Sequence, residues 1–257
     1  MLAWVVLPTY NEADNIEEAI RRSRKAAPDV HVLVVDDDSP DGTADIAARV
    51  GAELGEVDVL RREGKSGLGS AYRAGFALAT EAGADVLIEM DADLSHDPQA
   101  IPALVSAIEH GADLAIGSRY VPGGSIPNWS WHRRFLSRWG NRYAALVLGL
   151  AVRDATSGFR AYRAEFLQRF DLEAVRADGY GFQVEMAYRI ASRGGRIVEV
   201  PISFADRERG NSKMSGRIVV EALILVTGWG VRDRLRRMKR RALQTFDRSP
   251  VDEAARP

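Results

Sequence analysis

The chain has 257 residues, 46% of them hydrophobic and 28% charged, enough for one large α/β domain with a proper core and a helical appendage. A net charge of −1 argues against a general nucleic-acid binder, and the absence of cysteine excludes disulfides, thiolate catalysis and cysteine-type zinc sites. Its four histidines (His31, His96, His110, His132) show no ligand spacing, which leaves oxygen ligands for any metal.

The chain opens on "MLAWVVLP", apolar but without a basic n-region, so it reads as a buried strand and not as a signal peptide. Short apolar runs then alternate with helical patterns. Strands are predicted at residues 4–7, 30–35, 57–60, 86–90 and 114–117, and helices near 14–27, 43–54, 69–82 and 98–110. Continuous apolar strands separated by helices imply a mostly parallel sheet covered on both faces. Ligands of such sheets sit outside the carboxyl ends of the strands. Those ends carry "PTYNE", "DDDSPDGT", "RREGKSG", "MDADLSHDP" and "GSRYVPGG", so polar and glycine-rich chemistry gathers at one edge. The second half predicts a helix over 132–150, the segment "RDATSGFRAY", a helix near 180–192 and a strand over 197–204. An apolar stretch and a basic one follow the loop "ADRERGNSKMSG". The domain reading is a catalytic unit over 1–216, a membrane-associating helical tail over 217–246, and a disordered end over 247–257.

Asp91 and Asp93 follow the fourth apolar run. On an extended strand end, residues two apart point to one side, so both carboxylates can reach one cation while Ala92 points away. Helix capping does not need them, because Asp97-Pro98 already supplies an N-cap followed by proline. Clustered carboxylates repel each other. A hard cation, Mg²⁺ or Mn²⁺, shared with substrate phosphates would relieve that repulsion. In "VVDDDSPDGT", Asp41 and Thr43 suit the turn while Asp36 or Asp37 faces the ligand. "EGKSGLGSAY" is not a P-loop, since Val59 stands where the first glycine belongs, and Tyr72 breaks a dinucleotide fingerprint. It reads as a loop that places Lys65 near phosphates.

The series "PTYNE", "DDDSPDGT", "MDADLSHDP", "GSRYVPGG", "DATSGF" and "RERGNSK" resembles the polyprenol-phosphate (dolichol-phosphate) mannose synthases of glycosyltransferase family 2, over about residues 3–216. The resemblance implies a GT-A (Rossmann-like) fold and transfer of mannose from GDP-mannose to a polyprenyl monophosphate on the cytosolic face of a membrane. It implies that Pro8, Tyr10, Glu12, Val35 and Asp37 hold the nucleoside, with Ala92 also on the nucleotide. Asp91 and Asp93 are implied to bind the metal and diphosphate. Ser95 joins them at a position where some members carry glutamine, a longer ligand. Arg119 and Arg133 match positions that meet the acceptor phosphate; Gln183, Arg207 and Lys213 match positions around the donor phosphates and sugar.

A lipid phosphate has its second pKa at about 6, so it is largely dianionic at neutral pH and a general base is dispensable. The chemistry needs positioning and charge stabilisation on the leaving diphosphate. "RIVVEALILVTGWGV" (217–231) is too short to span a bilayer. With the basic "RDRLRRMKRR" (232–241) behind it, it suits peripheral contact with anionic lipid or with a separate membrane-anchoring protein; the alternative is a helix packed on the domain. Trp129, Trp131 and Trp139 can line a lipid entrance or belong to the core. Two rivals remain at this stage, a family 2 enzyme using a UDP-sugar such as UDP-glucose and a non-catalytic membrane-recruited binding protein.

Overall fold

The computed structural model describes residues 1–169, 171–175, 177–205, 223–235 and 238. Its centre is one sheet of seven strands: β1 (Ala3–Thr9), β2 (His31–Asp36), β3 (Val57–Arg61), β4 (Val86–Glu89), β5 (Leu114–Ser118), β6 (Arg160–Arg163) and β7 (Ile197–Pro201), in the order β3-β2-β1-β4-β6-β5-β7. All neighbours pair in parallel except β6, which runs antiparallel to both β4 and β5. The mostly parallel sheet expected from the sequence is therefore present.

Strand alternation sorts the core into two layers. On one face Trp4, Val6, Leu33 and Val35 pack under α3 (Leu68–Glu81), α5 (Trp131–Leu148) and α7 (Tyr180–Ser192). On the other, Val5, Leu7, Val32 and Val34 pack under α1 (Ile16–Ala26), α2 (Thr43–Leu54) and α4 (Ile101–Glu109). Helix α3 lies close on the sheet at Gly75, where a Cβ would stand 2.5 Å from Val6 Cγ1. The predicted 98–110 helix begins as a 3-10 turn, Pro98–Ala100, with Asp97 accepting from the Gln99 N–H at 3.0 Å. That cap is the one anticipated from Asp97-Pro98.

Two elements escaped prediction: β6 and the short α6 (Ala164–Leu167). Strand β6 reads R-A-Y-R, charged at both ends, yet Arg160 is fully buried. Its guanidinium donates to the carbonyls of Ala155, Ser157 and Gln183 at 2.6–2.7 Å, which is what makes burial of that charge tolerable.

Of the expected tail, residues 223–235 are helical (α8). This helix packs on the domain: Tyr143 Oη meets Thr227 Oγ1 at 2.7 Å, and Trp229 stacks on Tyr188. Its opposite side shows Ile224, Val231 and Leu235 to solvent. Beside it, α5 exposes Trp131 (79%), Phe135, Trp139 and Leu146. Trp131 and Trp139 are thus not core residues, whereas Trp129 is buried. Among the described residues no helix is long and apolar enough to cross a membrane.

Candidate functional site

A cleft of about 550 Å³ opens over the carboxyl ends of β1, β2, β4 and β5, the edge named by the sequence. Pro8, Tyr10, Glu12, Asp37, Asp91, Ala92, Asp93, Arg119, Arg133 and Gln183 all line it. The cleft thus gathers most of the expected site residues, acids and arginines alike.

On the acidic side, short turns fix the carboxylates. Asp36 accepts from Ser39 N at 2.9 Å and Ser39 Oγ at 2.6 Å, and from Thr9 Oγ1 at 2.8 Å. It belongs to the turn, and Asp37 is the one that lines the cleft. Asp37 pairs with Arg62 Nη1 at 2.8 Å and accepts from the Ser66 N–H at 3.3 Å. Asp41 accepts from the N–H and hydroxyl of Thr43 and from the Ala13 N–H. Burial pushes its carboxyl up, but those hydrogen bonds outweigh it and leave the pKa lowered. Lys65 lies 4.3 Å from the centre of the Tyr10 ring, and both line the cleft.

The reason given for Asp91 and Asp93 needs revision. Strand β4 ends at Glu89, and residues 92–94 form a bend in which Leu94 takes φ 62°. The two carboxylates share the cleft through that bend, not through strand alternation, and Ala92 lines the cleft as well. Asp93 Oδ1 accepts from Ser95 N at 3.1 Å and from Ser95 Oγ at 2.5 Å. The Ser95 hydroxyl is buried in this turn and Ser95 does not line the cleft; the structure makes it a holder of Asp93, and a direct metal contact is not what its position offers. Val35 likewise turns its side chain into the core beneath α3, so only its backbone is near the nucleoside side. Arg207 and Lys213 lie outside the described residues.

Gly158 closes this end of the cleft. A Cβ there would stand 3.7 Å from Asp91 Oδ2, 3.8 Å from Gln183 Nε2 and 3.9 Å from His96 Cε1, so glycine leaves open a space bounded by an acid and an amide. The Asp91 carboxylate oxygen beside that space is a hard donor of the kind that suits Mg²⁺ or Mn²⁺. Among the described residues no three His, Asp or Glu side chains are grouped to hold a metal. His96 was passed over at sequence level because it has no ligand spacing. It packs on Phe159 and Phe204, and its Nδ1 accepts from the Asp91 N–H at 3.4 Å. Below the site, burial pushes the Glu89 carboxyl up to about 7, against the pull of Arg160, of the nearby Gln183 amide and of the hydrogen bond from Tyr162.

On the basic side, Arg119 follows β5 and is buried. Its Nε and Nη2 grip the Asp154 carboxylate at 2.7 and 2.6 Å, and Nη2 also donates to Thr156 Oγ1 at 2.8 Å. Arg119 is therefore paired with a carboxylate inside the domain. It uses the Nε–Nη2 edge; Nη1 is the part of the fork outside it. Burial pushes the Asp154 carboxyl up, but the Arg119 charge and hydrogen bonds outweigh it and hold the pKa below the usual carboxylate range. Arg133, in the first turn of α5, lies over the Trp129 ring at 3.9 Å, and the Arg119 guanidinium is 5.6 Å from the same ring. One indole thus gathers both cations. From this corner a second, apolar groove of about 100 Å³ runs between α5, α7 and α8, lined by Leu136, Tyr143, Val184, Leu223 and Val226.

The glycosyl transferase family 2 model matches residues 4–170. The polyprenol monophosphomannose synthase of Mycolicibacterium smegmatis is 49% identical over 236 residues, 91% of this chain and 89% of that protein. The undecaprenyl-phosphate mannosyltransferase of Micrococcus luteus is 52% identical over 231 residues, 90% of this chain and 95% of that one. Among solved structures, a mannosyltransferase of Pyrobaculum calidifontis in complex with GDP-Man and Mn²⁺ superposes with a TM-score of 0.63 at 19% identity, over 90% of this chain and 64% of that one. The fold is GT-A.

Proposed function

The chain belongs to glycosyltransferase family 2 and, within it, to the polyprenol-phosphate mannose synthases, and on that premise we propose that it transfers mannose from GDP-mannose to a polyprenyl monophosphate with inversion at the anomeric carbon. The observation that carries this reading is a single cleft lined by both Asp91 and Asp93 and Arg119 and Arg133, with an apolar groove that shares the two arginines.

Each part of the cleft has a task in that reaction. Pro8, Tyr10, Glu12 and Asp37 hold the nucleoside, Gln183 faces the sugar and phosphates, and Lys65 beside Tyr10 adds a cation near the diphosphate. Arg119 and Arg133 orient the acceptor phosphate by charge-assisted hydrogen bonds. Since that phosphate is already largely dianionic, with its second pKa at about 6, no side chain need remove a proton. Attack on the side opposite the diphosphate turns an α-linked donor into a β-linked product. Asp91 and Asp93 would hold Mg²⁺ or Mn²⁺, which neutralises charge developing on the leaving diphosphate. By the resemblance, Arg207 and Lys213 add to that neutralisation. The P. calidifontis protein, of the same fold, holds GDP-Man and Mn²⁺, which supports the choice of donor and metal class.

The reading places the enzyme peripherally on the cytosolic face of a membrane. Helix α5 supports this: its outward face carries Trp131, Phe135, Trp139 and Leu146, with Arg134, Arg138 and Arg142 exposed around them. Aromatic and apolar groups rimmed by cations suit an anionic lipid surface. A direct assay decides the reaction. Purified protein with Mg²⁺ or Mn²⁺ receives radiolabelled GDP-mannose or UDP-glucose and a short polyprenyl phosphate. The expected product is a mannolipid with a β linkage, made from GDP-mannose alone; transfer only from UDP-glucose, or an α linkage, overturns the proposal.

A further inference from the structure

Helix α5 turns one polar residue into the domain. Asn141 is 2% exposed and stands on the same inward side as Ala144 and Leu148. An amide placed there is costly unless it is hydrogen-bonded, and both of its donors and its oxygen have partners. Nδ2 donates to Ser137 O at 3.0 Å and to Thr156 Oγ1 at 3.1 Å, while Oδ1 accepts from the Thr156 N–H at 3.1 Å. The Thr156 backbone can only donate, so the orientation of the amide is fixed by its partner.

The Thr156 hydroxyl is saturated. It accepts from Asn141 Nδ2 and from Arg119 Nη2 at 2.8 Å, and donates to Asp154 Oδ1 at 3.3 Å. That uses one donor and two acceptor sites, the full capacity of a hydroxyl. An unbroken chain of hydrogen bonds therefore runs from α5 through Asn141 and Thr156 to Arg119. Arg133 is carried by the same helix, eight residues before Asn141, or roughly 12 Å along the axis at 1.5 Å per residue. Two arginines on separate elements, one after β5 and one on α5, are thus tied through a single side-chain relay, with Trp129 between them.

We infer that Asn141 and Thr156 are positioning residues that set the separation of the Arg119 and Arg133 guanidiniums, and with it the affinity for the acceptor phosphate. The inference rests on the proposed role of the two arginines as the acceptor-phosphate site. A phosphate held by the Arg119 Nη1 donors and by Arg133 is sensitive to their spacing, because misplacing either guanidinium lengthens a charge-assisted hydrogen bond. Asn141 does not line the cleft, and the Thr156 hydroxyl bonds Asn141, Arg119 and Asp154, so the relay is expected to leave donor binding unchanged.

The test is steady-state kinetics of Thr156→Val, Thr156→Ser and Asn141→Leu, with donor affinity by calorimetry and melting temperature beside them. Loss of a hydrogen bond to a charged group predicts about a tenfold rise in acceptor KM for Thr156→Val and Asn141→Leu, with donor affinity unchanged and Thr156→Ser close to the parent. In an Arg133→Lys background, where the fork is already lost, the Asn141→Leu effect should shrink. A normal acceptor KM in both relay variants, with a raised one in Arg119→Lys and Arg133→Lys, overturns the relay and leaves the acceptor site standing. If the two lysine variants also leave acceptor KM unchanged, the acceptor site itself is misplaced and the inference falls with it. A fall in donor binding and acceptor binding together, tracking a lowered melting temperature, reduces the pair to a packing role and also overturns it.

Discussion

The two ends of the cleft hold their charges by different means. At the acidic end, Asp36 is fixed by Ser39, Asp41 by Thr43 and Asp93 by Ser95, each within three residues along the chain. At the basic end, Arg119 is fixed by Asp154 and Thr156, 35 and 37 residues away, and Thr156 by Asn141, another 15 away. A carboxylate accepts only, and the nearest backbone N–H or hydroxyl can satisfy it. The Arg119 guanidinium takes its acceptors in a planar fork from a carboxylate on another segment. The turn that holds Asp93 can thus form locally, Asp37 adds Arg62 and Ser66 from 25 and 29 residues away, and the basic end exists only when the sheet is complete.

The sharpest way to break the comparison is to remove charge at the acidic end without touching its turns. Asp93→Asn keeps an oxygen for Ser95, so the bend survives while the metal-binding charge is lost. We expect transfer by Asp91→Asn and Asp93→Asn to fall at least about a hundredfold, as for other deletions of transition-state charge stabilisation, with melting temperature unchanged. Chelation should do the same to the parent, reversibly. Radiolabel transfer checks both, and full turnover in excess chelator would remove the metal from the mechanism.

The basic end should fail in the opposite manner, through stability first. Asp154→Asn leaves Arg119 buried without its counter-charge, for which about 3–5 kcal/mol of stability is expected to be lost. Urea denaturation measures it, and a loss comparable to that of an exposed ion pair would mean that water reaches the pair. The pH dependence follows from the direction of the Asp154 shift. Its folded pKa is depressed, so the stabilisation is fully present above the unfolded value of about 3.9 and disappears as pH falls through the lower folded value. The stability difference between the parent and Asp154→Asn should therefore be flat from neutral pH down to the carboxylate range and shrink below it. A difference that shrinks already near neutrality contradicts the depressed value. The smallest effect belongs to a single local turn. Ser39→Ala removes one of the bonds to Asp36 while the Ser39 N–H and Thr9 remain, for a cost of about 1 kcal/mol by the same denaturation assay.

What could be read from the sequence follows the same division. The Asp41–Thr43 turn and the Asp97-Pro98 cap were legible because each is complete within a few residues. The alternating apolar strands were legible for the same reason, and the edge that bears the cleft followed from them. For Asp91 and Asp93 the shared side was right and its cause was not, since a bend at Leu94 does what strand alternation was expected to do. Strand β6 was hidden because a buried arginine begins it, and periodicity counts arginine as exposed. Ser95 and Val35 match the family pattern by position, yet one bonds inward to Asp93 and the other packs under α3. No spacing rule finds Asp154 or Asn141 as partners of the arginine end; "DATSGF" was visible as a motif, but its contacts cross from one strand connection to another.

The reversed direction of β6 has a consequence for which parts of the cleft can change independently. Parallel strands deliver loops to the cleft as the chain leaves the sheet; β6 delivers one as the chain enters it, for Arg160 at its start lies opposite Glu89 at the end of β4. The segment over 149–159 therefore reaches the reaction centre from the other side and carries Asp154, Thr156 and Gly158 with it. Its length and composition are free of the register that locks β1 to β2 and β4. A change in that one entering loop therefore reaches Arg119 through Asp154 and Thr156 while leaving the pairing of β1 with β2 and β4 untouched.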